Sequence, residues 1–157
     1  MPAKKLVLFV CTGNVCRSAM AAGLFYDKLV REGADGGVRI RSAGVWALHG
    51  QPASAYARQV MNERDLDISA HRGHNLTQAD IDEADLILVM TKRHAEIIAS
   101  DFKQSAGKVH LLSEMAGEPY DIHDPYGGSL SEYRQTASEL EGLIERGYAR
   151  IMKLLSK

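Results

Sequence analysis

Cys11 and Arg17 stand six residues apart around Thr12-Gly13-Asn14-Val15-Cys16, and Ser18 follows at once. These residue types suit phosphoryl transfer. A thiolate attacks phosphorus, and a guanidinium presents a planar pair of donors that matches two phosphoryl oxygens. The apolar run Leu6-Val7-Leu8-Phe9-Val10 leads directly into Cys11, which predicts a buried strand turning through a short loop into a helix. Such a turn aims several backbone N–H groups at one point and adds the field of the helix dipole, so an oxyanion is held there. The same field lowers a cysteine pKa to about 3.5–7.5 from a free value near 8.5, which makes Cys11 the expected nucleophile. Thr12, Gly13, Asn14, Val15, Cys16 and Ser18 then form the expected phosphate-binding loop.

The departing atom also needs a proton, from an acid on a separate loop that reaches across the cleft. Asp124, in His123-Asp124-Pro125-Tyr126-Gly127-Gly128, is the best placed carboxylate. Pro125 fixes the local backbone and Tyr126 offers an aromatic wall. An Asp in such a loop also suits a turn in which it caps its own backbone. Trp46 either flanks the same cleft or packs as an ordinary aromatic. A nucleophile that must be ionised and an acid that must be protonated predict a bell-shaped rate profile, with its optimum on the acid side of neutrality.

Strands and helices alternate around these residues. Helices are expected from a Ser18 cap to about Arg31, after Pro52 with Tyr56, Ala57, Val60 and Met61 on its apolar face, as a capped turn at 76–80, from a Thr91 cap to about Phe102, and over about 131–155. Further strands are expected at 38–43, 85–90 and 108–112. This rhythm predicts an α/β fold, a doubly wound four-stranded parallel sheet of flavodoxin-like order 2-1-3-4 with helices on both faces. Its ligand site falls at the carboxyl end of the first strand, where the Cys11 loop begins. The apolar stripe Leu140, Leu143, Ile144, Tyr148, Ile151 and Leu155 is expected to pack on the sheet, the alternative being a dimer seam.

Composition is consistent with one soluble domain over residues 1–157, with 45% hydrophobic and 25% charged residues and a formal net charge of -1. The basic residues are scattered, which disfavours a nucleic-acid or anionic-membrane surface. No apolar stretch is long enough to span a bilayer. Two cysteines in one loop and dispersed histidines give no disulfide framework and no metal site, so a cytoplasmic protein without cofactor is expected, as a monomer or weak dimer.

With these residues in place, the chain resembles the low-molecular-weight protein tyrosine phosphatase family over nearly its whole length. The matching pieces are Val10 to Ser18, Ser42-Ala43-Gly44, Ser69-Ala70-His71, Ala84 to Thr91 and Asp124-Pro125-Tyr126. The resemblance implies that Cys11 forms a phosphocysteine, that Arg17 clamps the phosphoryl oxygens, and that Asp124 protonates the leaving group and then activates water. It assigns Asn14, Ser18, Ser42 and His71 to a shell that holds the loop. It also implies a reversible disulfide between Cys11 and Cys16 that shields the nucleophile from oxidation. Ala19 and Ala22 depart from the family, which has Pro and Glu at those places.

Met90 to Ser100 and Asp124 to Ser129 look most like the bacterial protein-arginine phosphatase branch. That branch has Thr where this chain has Val15 and Phe where it has Tyr126, whereas tyrosine-specific members carry an aliphatic residue and an aromatic wall. The expected activity is therefore hydrolysis of phosphotyrosine in a phosphorylated protein, with phosphoarginine as the alternative. Arsenate reduction on this scaffold requires further cysteines, and none follows Cys16. A phosphate-binding regulatory module without turnover is disfavoured by the presence of Cys11, Arg17 and Asp124.

Overall fold

The computed structural model describes residues 4–157. The first apolar run forms β1 (Lys5–Cys11), followed by α1 (Arg17–Arg31), β2 (Val38–Gly44), α2 (Ala55–Asn62), α3 (Gln78–Glu83), β3 (Leu86–Val89), α4 (Lys92–Asp101), β4 (Val109–Leu111) and α5 (Leu130–Leu155). The four strands make one sheet in the order β2-β1-β3-β4. Every pairing is parallel, with Cys11 opposite Gly44 on one side and Val10 opposite Val89 on the other. The expected sheet order is thus the observed one.

Strand β1 is buried from Leu6 onward because both faces of the sheet are covered. Val7 and Phe9 meet Phe25 of α1, Met61 of α2 and Leu140 and Ile144 of α5. Leu8 and Val10 meet Ile81 of α3 and Ile98 of α4 on the other face. Alternation along one strand therefore feeds two cores, and each buried Leu, Ile or Phe stabilises by roughly 1.5–3 kcal/mol. The stripe of α5 lies in the first of these cores, packed along α1, so it is not an exposed seam.

Helix ends follow local chemistry. Thr77 and Thr91 build capping boxes with Asp80 and His94, and Ser129 caps α5 through the N–H of Glu132. Gly33 turns left-handed, with φ of 70°, to close α1. Two expected helix starts need correction. Ser18 is not the cap of α1: Cys16 occupies that position without a side-chain cap bond, and Ser18 lies inside the helix. Pro52 does not open α2; it bridges to Arg72, and Ser54 caps the helix instead by accepting from the N–H of Ala57. On α2, Ala57, Val60 and Met61 are buried as expected, while Tyr56 is exposed.

Candidate active site

Cys11 ends β1 between β2 and β3, where the chain leaves to opposite sides of the sheet, so its loop opens into the crevice beyond the strand ends. Asn14 is the pivot of that loop. It is fully buried and left-handed, with φ of 59°, a conformation an L-residue holds only when its surroundings impose it. Its Nδ2 donates to Ser18 Oγ at 2.8 Å and to Ser42 Oγ at 3.0 Å, and its Oδ1 accepts from the N–H of His74 at 2.9 Å. His71 Nε2 donates to the Asn14 carbonyl at 2.6 Å. Burial pushes the His71 pKa down.

Ser18 Oγ lies 2.9 Å from Cys11 Sγ. Among the described residues, the backbone N–H groups of residues 12–17 reach no protein acceptor, although the Cys11, Thr12 and Val15 carbonyls accept from Val45, Trp46 and Ser54. The loop thus spends its acceptors on the scaffold and keeps its donors for an anion. Gly44 permits this approach, because a Cβ there would fall 2.4 Å from the Thr12 carbonyl.

Arg17 is buried in the first turn of α1, and its Nη1 donates to the Ile122 carbonyl at 2.8 Å. Its Nη2 lies 3.4 Å from Thr12 Oγ1 and 3.4 Å from Asp124 Oδ2. Its Nε has no partner among the described residues, a buried donor that a phosphoryl oxygen would satisfy. Asp124 divides its oxygens: Oδ1 accepts from the N–H of Tyr126 at 3.1 Å, as a turn residue does, and Oδ2 faces Arg17. The segment carrying Asp124 is anchored where the N–H of Ile122 donates to the Met90 carbonyl and Asp121 accepts from the N–H of Lys92.

A cleft of 540 Å³ opens above Cys11, lined by Val15, Trp46, Leu48, Arg58, Asp124 and Tyr126 among others. Trp46 is 86% exposed and Tyr126 69%, so both are free walls of the cleft; Trp46 is not a packing aromatic. Cys16 sits differently from the rest of its loop. Its thiol points to Tyr133 Oη at 3.2 Å and Ser54 Oγ at 3.5 Å, and burial pushes its pKa up. Only its backbone serves the loop directly, and both cysteines are free thiols.

The sequence reading did not single out His94. It is buried at the start of α4, its Nδ1 accepts from the N–H of Thr91 at 3.2 Å, and its Nε2 therefore carries the proton donated to Thr12 Oγ1 at 2.9 Å. Burial, reinforced by the Arg17 charge, lowers its pKa to about 4. Its signal in the sequence was the capping position three residues after Thr91, which suggests a cap and nothing more. Ile122 also went unnoticed, since a carbonyl ligand for Arg17 has no side-chain signature.

The profile of the family described as low molecular weight phosphotyrosine protein phosphatase matches residues 6–156. The chain is 42% identical to the protein-arginine-phosphatase of Bacillus subtilis, over 89% of this chain and 92% of that protein. It is 38% identical to the probable low molecular weight protein-tyrosine-phosphatase EpsP of Ralstonia nicotianae, over 96% of this chain and 98% of that one. Among solved structures, the low molecular weight protein tyrosine phosphatase of T. tengcongensis superposes with a TM-score of 0.88 at 42% identity, covering 94% of this chain and 99% of that one. A mutant of the arginine phosphatase YwlE, with a phosphorylated serine in its active site, superposes at 0.87 with 40% identity, covering 94% and 95%.

Proposed function

The chain belongs to the low molecular weight phosphotyrosine protein phosphatase family, a family of hydrolases, and from that premise we propose that it hydrolyses phosphotyrosine in proteins through a phosphocysteine on Cys11. The observation that carries this reading is the junction of three groups at one cleft: the Cys11 sulfur at its base, the unpartnered Arg17 Nε, and Asp124 Oδ2 at its edge.

In the first step the Cys11 thiolate attacks phosphorus, the P–O bond to the leaving group breaks, and Asp124 gives that oxygen its proton. Arg17 and the loop N–H groups stabilise the charge on the equatorial oxygens. In the second step Asp124, now ionised, takes a proton from water; the hydroxide displaces sulfur, releasing phosphate and restoring the thiolate. The Asn14 side chain, Ser42 and His71 brace the loop from behind, so they position it.

Val15, Trp46 and Tyr126 line this cleft, and the aliphatic Val15, which offers no hydroxyl, together with the aromatic walls supports phosphotyrosine as the substrate. Hydrolysis of phosphoarginine is the second reading, favoured by the identity to named arginine phosphatases. Phosphate release from matched phosphotyrosine and phosphoarginine peptides at pH 6 and pH 7.5, with Cys11→Ser as the blank, separates the two. Preference for phosphotyrosine supports Val15 and Tyr126 as selectors, preference for phosphoarginine overturns that assignment, and turnover of neither overturns the enzyme reading. No helix among the described residues is long and apolar enough to cross a membrane. The placing of the α5 stripe in the core supports a monomer or weak dimer.

A further inference from the structure

Behind the phosphate loop lies a second hollow, of 460 Å³, lined by Ala22 of α1, Arg41 and Ser42 of β2, and His71, Arg72 and His74 of the following loop. Three of these residues hold Asn14: Ser42 accepts from its Nδ2, His71 donates to its carbonyl, and the N–H of His74 donates to its Oδ1. The hollow is therefore one hydrogen bond away from the residue whose left-handed backbone shapes the loop.

Its charges are unevenly satisfied. Asp80, also in the wall, has one oxygen fully engaged by His74 Nε2 at 2.7 Å, the N–H of Thr77 at 2.8 Å and Thr77 Oγ1 at 2.9 Å. Arg41 is paired with Glu83 at 2.9 Å. Arg72 donates only to the carbonyls of Ser69 and His71, and among the described residues it has no carboxylate partner. His71 spends Nε2 on Asn14, which leaves Nδ1 as its remaining polar atom. The wall thus presents a guanidinium charge with no acid against it, beside a histidine ring. Ala22 contributes only a methyl group to this wall.

We propose that this hollow is a binding site for a small carboxylate, held by Arg72 and by His71 in its protonated form, and that its occupation acts on the phosphate loop through Asn14. A carboxylate there binds together with one proton, taken up from solvent at His71 Nδ1, so affinity rises as pH falls. The groups facing that ring are Arg41, Arg72, His74 and Asp80, with Glu83 behind Arg41 and His49 packed edge-on against His74. Of these, His74 is held by Asp80 at 2.7 Å through its Nε2, so its ring resonances are followed separately from those of His71. The site does not depend on which phosphoester is hydrolysed, since its signature is binding and not turnover.

The test is titration of the ¹⁵N-labelled full chain with sodium succinate, against sodium chloride at equal ionic strength, read by amide shifts and by the His71 ring at pH 6 and pH 7.5. Saturating shifts at Ser42, His71 and His74 are expected, with affinity several-fold higher at pH 6 and lowered about tenfold or more by Arg72→Gln, equivalent to the loss of at least about 1.4 kcal/mol. Ala22→Glu tethers a carboxylate in the wall; it is expected to raise the His71 titration midpoint and to abolish succinate binding. Shifts confined to residues 12–18, shifts that do not saturate, or an unmoved His71 midpoint in Ala22→Glu would each overturn the proposal.

Discussion

Ser18 Oγ lies 2.9 Å from Cys11 Sγ. The Asn14 amide already donates to that oxygen at 2.8 Å, so the hydroxyl proton is left to point at sulfur and stabilise a thiolate. A hydrogen bond to a charged group contributes about 1.5–3 kcal/mol. Ser18→Ala is therefore expected to lower kcat by roughly 10- to 100-fold and to move the acid limb of the rate profile to higher pH. Rates of Cys11 alkylation by iodoacetate across pH 4 to 8 check the second effect independently of turnover.

Arg17→Lys keeps the charge and removes the fork. The unpartnered Nε is lost, and an ammonium cannot face Ile122, Thr12 and two phosphoryl oxygens together. Removing one such donor from a preorganised oxyanion site costs roughly 10²–10³ in kcat. A kcat loss of that size with the fold intact by circular dichroism is expected. A variant that kept wild-type kcat would show that positive charge alone is enough.

How much of this site is legible in the sequence depends on what kind of contact each residue makes. Cys11, Arg17 and Asp124 are recognisable because their chemistry is in their side chains and the loop has a fixed spacing. The sheet order is legible because period-two and period-3.6 patterns alternate along the chain, as the two separate cores on either side of β1 show. Only the capping role expected of Ser18 fails: a serine at a helix start usually caps it, but here its hydroxyl is claimed by Asn14 and Cys11, in keeping with the shell role that the resemblance implies. Pro52 was misread for a related reason: a proline suits the first turn of a helix, but it suits the bridge to Arg72 as well. His94 was invisible because its partner Thr12 lies 82 residues away and only the meeting of α4 with the loop brings them together.

Gly44 is required by proximity and not by backbone conformation. A methyl group there would overlap the Thr12 carbonyl at 2.4 Å and crowd the N–H of Asn14 at 3.0 Å. Backbone atoms cannot swing aside as a flexible side chain can, so the loop must shift away from β2. Gly44→Ala is expected to destabilise by about 1–3 kcal/mol, the usual cost of overpacking, and to weaken phosphate affinity along with kcat. Urea unfolding together with vanadate inhibition reads both, and an unchanged vanadate affinity would mean that the loop absorbs the methyl group elsewhere.

His94 sets a limit on the acid side. Its pKa is about 4 in the fold against 6.5 for a free histidine, because burial and the Arg17 charge oppose protonation. Between those two values the unfolded chain binds a proton that the folded chain refuses. Folding stability is therefore fully present above about pH 6.5 and falls as pH drops toward 4, by up to about 3 kcal/mol from this residue alone. Below pH 4 both states are protonated and the loss is complete. His94→Asn removes the titration while offering an amide to Thr12, so its unfolding free energy is expected to vary less with pH than that of the wild type across this window. The proposed reaction needs a thiolate and a carboxylic acid together, which predicts a bell-shaped rate profile. The falling stability then truncates the acid limb, and activity measured after incubation at pH 4.5 is expected to decay in the wild type more than proportionately to its rate at pH 6. Denaturant curves at pH 4.5, 5.5 and 7 for both proteins check this; parallel pH dependence in the two would show that other groups carry the acid sensitivity.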